Sequence, residues 1–256
     1  MKLYLINILG AILIVFLSIS YAQTDIQANL KIKNFKGSVR SISVYTYNGN
    51  VIIDKKELWN EDFCAYDLKG NPIQEYYYES SRFSSFKKYD YNGKMIEERT
   101  LNSDGTPVNT KYNYIYANKG NIIEANEYSS SGSLEYKYTY KYDDKRNLIE
   151  KKQYQSYKDG SLMDTDTIKS DVKGNLIEVN SDDLFYHKKF MIIYKYDNRG
   201  NVSECSNYSN GELTSKTIYK YDNYDSKGNW LIKNEYHNDS DNPYTITERE
   251  IEYYSK

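Results

Sequence analysis

Apolar and polar side chains alternate along most of this chain with a period of two. In Tyr136-Lys137-Tyr138-Thr139-Tyr140-Lys141-Tyr142 a tyrosine holds every second place, with Lys or Thr between. Successive side chains of a strand point to opposite faces, so this segment predicts a strand with four tyrosines on one side. A helix would scatter them around its circumference, and Tyr and Thr favour strands. The same wording returns at Tyr194-Lys195-Tyr196 and Tyr219-Lys220-Tyr221.

Each such strand runs into a turn. Asp197-Asn198-Arg199-Gly200 predicts a type I turn, opened by an Asp whose carboxylate accepts a backbone N–H two residues on and closed by a left-handed Gly. Asp and Gly recur three places apart at Asp67 and Gly70, Asp90 and Gly93, Asp171 and Gly174, and Asp225 and Gly228. Arg146 replaces the glycine in one copy and predicts a strained or altered turn. An adjacent apolar pair often follows, at Ile122-Ile123, Leu148-Ile149, Leu176-Ile177 and Trp230-Leu231. Glu124, Glu150, Glu178 and Glu204 come shortly after the corresponding turns. Adjacent apolar residues point to both faces, so this strand is either covered on both sides or bulged. Asp104-Gly105, Ser131-Gly132, Asp159-Gly160 and Asn210-Gly211 signal a second turn.

The first-turn glycine, or its stand-in, falls at 70, 93, 120, 146, 174, 200 and 228. Each unit thus reads strand, turn, strand, turn, and a single unit cannot bury its own face. The expectation is an all-β fold. About seven or eight two-stranded units would form an antiparallel meander that twists and curls into an open sheet or barrel-like shell.

The start of the chain breaks the pattern. Lys2 is followed by a mostly apolar run from Leu3 to Ile19, and then Ser20-Tyr21-Ala22. This predicts a secretory signal peptide cleaved after Ala22; an uncleaved anchor is the alternative, for which the run is short. The expected organisation is residues 1–22 signal peptide, 23–35 lead segment and 36–256 repeat domain. A secreted, periplasmic or cell-surface location follows. With no second apolar run, no stable membrane insertion is expected after cleavage.

Composition narrows the functional classes. Tyr occurs 31 times against 7 Phe and 2 Trp, which predicts a thin, partly solvated interior, since Tyr buries a ring while its hydroxyl stays wet. The 34 basic and 36 acidic residues nearly cancel, leaving no overall field for nucleic acid or an anionic surface. Export permits a disulfide between Cys64 and Cys205, but two half-buried free thiols are the simpler expectation.

At "YDLKGNPI", "YDYNGKMI", "YDDKRNLI", "YDNRGNVS" and "YDNYDSKGNW" the chain resembles the YD-repeat (RHS-type repeat) family, over about Lys36 to Tyr254. The start "FKGSVRSISVYTY" resembles short secreted YD-like bacterial proteins often labelled sugar-binding. Asn stands where many family members have Arg after the Gly, and the unit is longer than usual. The large members form a closed shell around a toxin, followed by a self-cleaving domain. This chain has neither the length nor that domain, so encapsulation is not carried over.

No catalytic motif is present: G-x-S-x-G, H-E-x-x-H, the P-loop and the dinucleotide fingerprint are all missing from the sequence. The two histidines fit bland roles, His187 as a cross-strand partner in a strand and His237 solvated beside a turn. Two Cys and two His do not make a structural zinc site. The turn carboxylates lack calcium-loop spacing. Asn201, Asn207 and Asn238 open N-x-S sequons, meaningful only in a eukaryotic secretory path. No enzyme activity, cofactor or metal is expected.

The tyrosine rows are the feature able to bind something. The candidate ligand-binding residues are Trp230, Tyr138, Tyr140, Tyr142, Tyr194, Tyr196, Tyr219 and Tyr221. Their rings suit a carbohydrate, whereas the bland alternative makes them cross-strand ladders. Trp230 departs most from the repeat, with a large core filler as its plain reading, and Trp59 is expected to cap the first sheet edge. The expected function is a non-enzymatic binding module with carbohydrate or an envelope protein as partner. The alternative is a structural or protein-interaction repeat that binds through sheet edges or one face, with no small ligand.

Overall fold

The alternation becomes strands throughout the repeat region. The computed structural model describes residues 35–49, 57–80, 82–102, 104–118, 120–156, 160–238 and 240–255, so the expected signal peptide and cleavage site lie outside the described residues. The chain divides into residues 1–35 and residues 36–256, and the second unit is a β-barrel.

Its strands are β1 (Val39–Asn48), β2 (Leu58–Tyr66), β3 (Pro72–Glu79), β4 (Arg82–Tyr89), β5 (Met95–Leu101), β6 (Pro107–Tyr116), β7 (Ile122–Tyr128) and β8 (Leu134–Tyr142). They continue as β9 (Leu148–Gln155), β10 (Ser161–Ser170), β11 (Leu176–Asp183), β12 (Lys188–Tyr196), β13 (Val202–Ser209), β14 (Glu212–Tyr224), β15 (Trp230–His237) and β16 (Thr245–Tyr253). Each pairs antiparallel with its sequence neighbours, and β1 pairs β16 from Val39↔Tyr253 to Asn48↔Thr245. The expected meander therefore closes into a 16-strand barrel.

Closure corrects two expectations. A closed barrel has no sheet edge, so edge-on partner binding and edge capping by Trp59 both fall away. Trp59 lies within β2, its ring edge-on to Tyr244 at 5.5 Å.

The turns form as the sequence predicts, with one addition. In the turn after β12, Asp197 Oδ1 accepts the N–H groups of Arg199 (2.9 Å) and Asn201 (2.8 Å). Its Oδ2 accepts the Asn201 side-chain amide (2.9 Å). The Asn that closes the turn therefore locks the aspartate in place; Asn71, Asn147 and Asn175 do the same. Gly200 stands at φ 84°, the left-handed region that disfavours side chains.

The adjacent apolar pairs Ile122-Ile123, Leu148-Ile149 and Leu176-Ile177 are bulges, whereas Trp230-Leu231 shows no register slip. Register slips by one residue between Lys141↔Glu150 and Tyr142↔Leu148, between Lys169↔Glu178 and Ser170↔Leu176, and between Lys195↔Glu204 and Tyr196↔Val202. One residue of each pair rejoins the ladder and the other is extra. Leu176 is buried, while the extra Ile149 and Ile123 stand exposed.

Register and burial separate the two walls. The inner wall carries Ile42, Tyr112, Ala125, Tyr138, Ile168, Val179, Ile192, Tyr194 and Cys205, all buried. The outer wall carries a row of ion pairs at equivalent places in successive repeats: Lys141–Glu150 (2.8 Å), Lys169–Glu178 (2.7 Å) and Lys195–Glu204 (2.8 Å). Glu150, Glu178 and Glu204 are thus the outer partners of the Lys before Tyr-Asp or Ser-Asp. No described side chain is both large and fully buried, in keeping with a thin Tyr-built wall.

Candidate functional site on the inner wall

Period-two alternation places seven of the eight sequence candidates on the inner wall, and Trp230 joins them through its contacts with Tyr221 and Arg249. Tyr138 and Tyr194 are buried; Tyr140, Tyr142, Tyr196, Tyr219, Tyr221 and Trp230 are half-buried. The candidates fall into two sectors. Tyr138, Tyr140 and Tyr142 run along β8. Tyr194 and Tyr196 on β12, Tyr219 and Tyr221 on β14, and Trp230 on β15 form the second group.

Several of these groups are already engaged. Tyr196 and Tyr221 donate their hydroxyls to the carbonyls of Leu176 (2.6 Å) and Val202 (2.8 Å), the residues at which the bulged strands begin. Tyr114 does the same to Met95 (2.5 Å). A bulge disrupts the ladder locally, and the tyrosine hydroxyl satisfies a carbonyl there. Trp230 packs against Tyr221 (ring centroids 5.2 Å apart), and the Arg249 guanidinium lies 3.2 Å from its ring centre. One face of the indole is thus covered from inside the protein.

A second set of inner groups was not picked out from the sequence. Tyr89 donates to Glu75 (2.8 Å) and Tyr138 to Glu127 (2.7 Å), and Tyr112 lies 3.5 Å from Glu98. Burial pushes Glu127 above the usual carboxylate range against the pull of the Tyr138 hydrogen bond. On β10 the residues at the tyrosine places are Asp164, Asp166 and Ile168. Ser181 donates to Asp164 (2.9 Å), and Lys151 lies directly opposite Asp166 in the register. Burial and the neighbouring Asp166 charge raise Asp164 to about 7. Burial also raises Asp166, opposed by the Lys151 charge. The signal was available in "MDTDT", where alternation persists but Asp fills the tyrosine places.

The remaining candidates separate. Cys64 on β2 and Cys205 on β13 are both free thiols, and burial lifts Cys205 to about 11. His187 is in the turn between β11 and β12 at φ 53°, not in a strand as expected. The break comes from the preceding Asp183, whose Oδ1 accepts the N–H groups of Phe185 and Tyr186 and starts a turn. His237 ends β15 and is not simply solvated: its ring stacks on Tyr244 at 4.3 Å, with Nε2 3.2 Å from Glu235 Oε1. Among the described residues, no group of three or more His, Cys, Asp and Glu could hold a metal ion.

No protein-family model and no curated protein matches the chain. Solved structures do. A porin-like protein from Bacteroides uniformis aligns over 85% of this chain and 99% of its own, at 11% identity and a TM-score of 0.53. That likeness shows a shared closed-barrel fold. The Photorhabdus luminescens Tc holotoxin pore aligns over 82% of this chain at 14% identity and a TM-score of 0.33, and TcdB2-TccC3 over 78% at 14% and 0.33. This chain covers only 13% and 12% of those two chains. What defines the protein at this level is an all-β, 16-strand antiparallel barrel similar to a porin-like protein.

Proposed function

We propose that the protein is an exported, non-enzymatic binding barrel that stands in water and uses its inner wall, with carbohydrate as the ligand class. The observation that carries this reading is the division of the walls: tyrosines and carboxylates dominate inside, while Lys–Glu pairs stud an outer wall that also carries Phe63, Tyr76, Phe86 and Tyr154. A membrane-spanning barrel turns an apolar band about 25 Å tall toward lipid, and an outward lysine at its midplane costs roughly 2–4 kcal/mol. Here Lys137, Lys152 and Lys216 join the paired lysines on the outer wall. Several such charges would outweigh the stability of an ordinary domain. No described helix is long and apolar enough to cross a membrane, and the Lys–Glu pairs interrupt the outer faces of the strands.

Inside, rings that stack on sugar faces alternate with carboxylates that accept sugar hydroxyls. The YD-type repeat, the signal peptide with cleavage after Ala22 and a place in the cell envelope or outside the cell all belong to this reading. A glycan panel titrated by intrinsic fluorescence should give one saturable response, abolished by Tyr140→Ala. Silence across a broad panel removes the carbohydrate reading.

A second reading rests on the tyrosine hydroxyls donated to Leu176, Val202 and Met95. If those rings only hold the wall together, the barrel is a structural or protein-interaction element. A defined partner recovered from the envelope fraction, with a silent glycan panel, would favour it.

A further inference from the structure

In a meander barrel every second turn falls at the same rim. All the Asp-x-x-Gly turns and their degenerate copies join an even strand to the next odd one, so they form one rim. Two properties gather at their tips. The place before the glycine holds Lys69, Lys173, Arg199 and Lys227, and the place before Arg146 holds Lys145; all are exposed. Lys119 occupies the same place in the sequence. The place before these cations holds Leu68 and Val172, and Tyr91 stands there in the turn after β4. These three are the most exposed large apolar side chains among the described residues, at 72%, 94% and 82%.

Neighbouring tips are two strands apart, about 10 Å at the usual strand spacing. The cations therefore form a ring whose neighbours stand slightly more than a Debye length apart, that length being roughly 8 Å at physiological salt. The capping aspartates of the same turns sit back from the tips, while Asp144 stands exposed at the tip after β8. Asp67, for example, points its carboxylate at the N–H groups of Lys69 and Asn71 and at the Asn71 amide. Below the rim the extra bulge residues Ile73, Ile123 and Ile149 add exposed aliphatic surface on the outer wall.

We propose that this rim is a peripheral docking surface for an anionic phospholipid bilayer. A closed ring of tips meets a flat surface at many points at once, as the edge of a sheet would not. The lysines and Arg199 face lipid phosphates while Leu68, Tyr91 and Val172 enter the headgroup layer, with the strands remaining in water. Chain-wide charge conceals this surface because it averages over both rims and both walls. The proposal does not depend on what, if anything, the inner wall binds.

The test is co-sedimentation of the full exported chain with vesicles of neutral phosphatidylcholine, or of the same lipid with about a third phosphatidylglycerol, at low and high salt. Binding should require the anionic lipid and fall at least tenfold at high salt. Lys69→Gln/Lys145→Gln/Lys173→Gln should weaken it by at least tenfold, as should Leu68→Ser/Tyr91→Ser/Val172→Ser. These changes keep each turn's Asp and Gly or Arg146, and an unchanged thermal midpoint checks the fold. Leu213→Ser/Phe185→Ser, at the opposite rim, should bind like the parent. The proposal is overturned if the parent ignores phosphatidylglycerol, if salt has no effect, if the rim variants bind normally or if the opposite-rim variant loses binding.

Discussion

Arg146 donates from Nε and Nη2 to Asn121 Oδ1, at 3.1 and 2.9 Å, joining two adjacent turns of the same rim. Both turns are degenerate. Ala117 stands where other repeats carry the capping Asp, so Asn121 lacks the carboxylate that its counterparts Asn147 and Asn175 hold. Arg146 stands where others carry Gly, and it adopts φ 70°. The strained turn thus holds Asn121 by its oxygen, where its counterparts are held by their side-chain N–H.

This coupling is measurable. A left-handed non-glycine residue costs roughly 1–2 kcal/mol, while a charge-assisted bond at an exposed site returns a comparable amount. Arg146→Gly should therefore change stability little by itself. With Asn121→Ala already in place it should stabilise by about 1 kcal/mol, because Arg146 then keeps its strained backbone without its acceptor. Urea titration of the four-variant cycle measures this; an identical effect in both backgrounds would show the turns to be independent.

The tyrosine hydroxyls on the bulges make a second prediction. Tyr196→Phe and Tyr221→Phe each remove a donor from a carbonyl in the wall. Each should cost about 1 kcal/mol of unfolding free energy, and the two should add because they staple different strands. Unchanged denaturation midpoints would mean that water replaces the hydroxyl without penalty.

The repeat made the strands, the first turn and the order of pairing legible in the sequence. Alternation at Tyr136–Tyr142 fixed one face, and the period fixed sequential pairing. Closure was not legible, since it depends on the twist summed over sixteen strands and on β1 meeting β16, a contact no local pattern encodes. Nor could the pair Leu176-Ile177 reveal which member turns inward, because the bulge itself reverses the alternation. The inner aspartates of β10 were visible as a break in the tyrosine row, yet their depth depends on neighbouring strands. His187 looked like a strand residue because its apolar neighbours hid the turn that Asp183 initiates.

Those aspartates predict a pH dependence. Asp164 titrates at about 7 in the folded barrel, above its unfolded value, so folding favours its protonated form. Its contribution is fully present below the unfolded carboxylate pKa of about 4 and is lost as pH rises through about 7. Asp164→Asn should raise stability at pH 8 by on the order of 2–4 kcal/mol and flatten the profile between pH 4 and 7. A parent profile already flat across that window would contradict the burial of this carboxyl.

The turn aspartates act in the opposite sense. Hydrogen bonds from the Asn147 side chain and backbone hold Asp143 below the usual range. Its contribution is present above about pH 4 and is lost as pH falls through the lower folded value. Asp171→Ala, in an equivalent turn, should cost about 1 kcal/mol at neutral pH and nothing once the carboxyl is protonated. Paired thermal melts at pH 7 and below pH 3 compare the two.

The division of the walls is tested most directly by the state of the protein without detergent. Recovered from the cell and examined by size-exclusion chromatography with light scattering, it should run as a single folded species in plain buffer. Added to a planar bilayer, it should open no conducting pore. Aggregation relieved only by detergent, together with stable single-channel conductance, would mean that the outer wall faces lipid and would contradict this account.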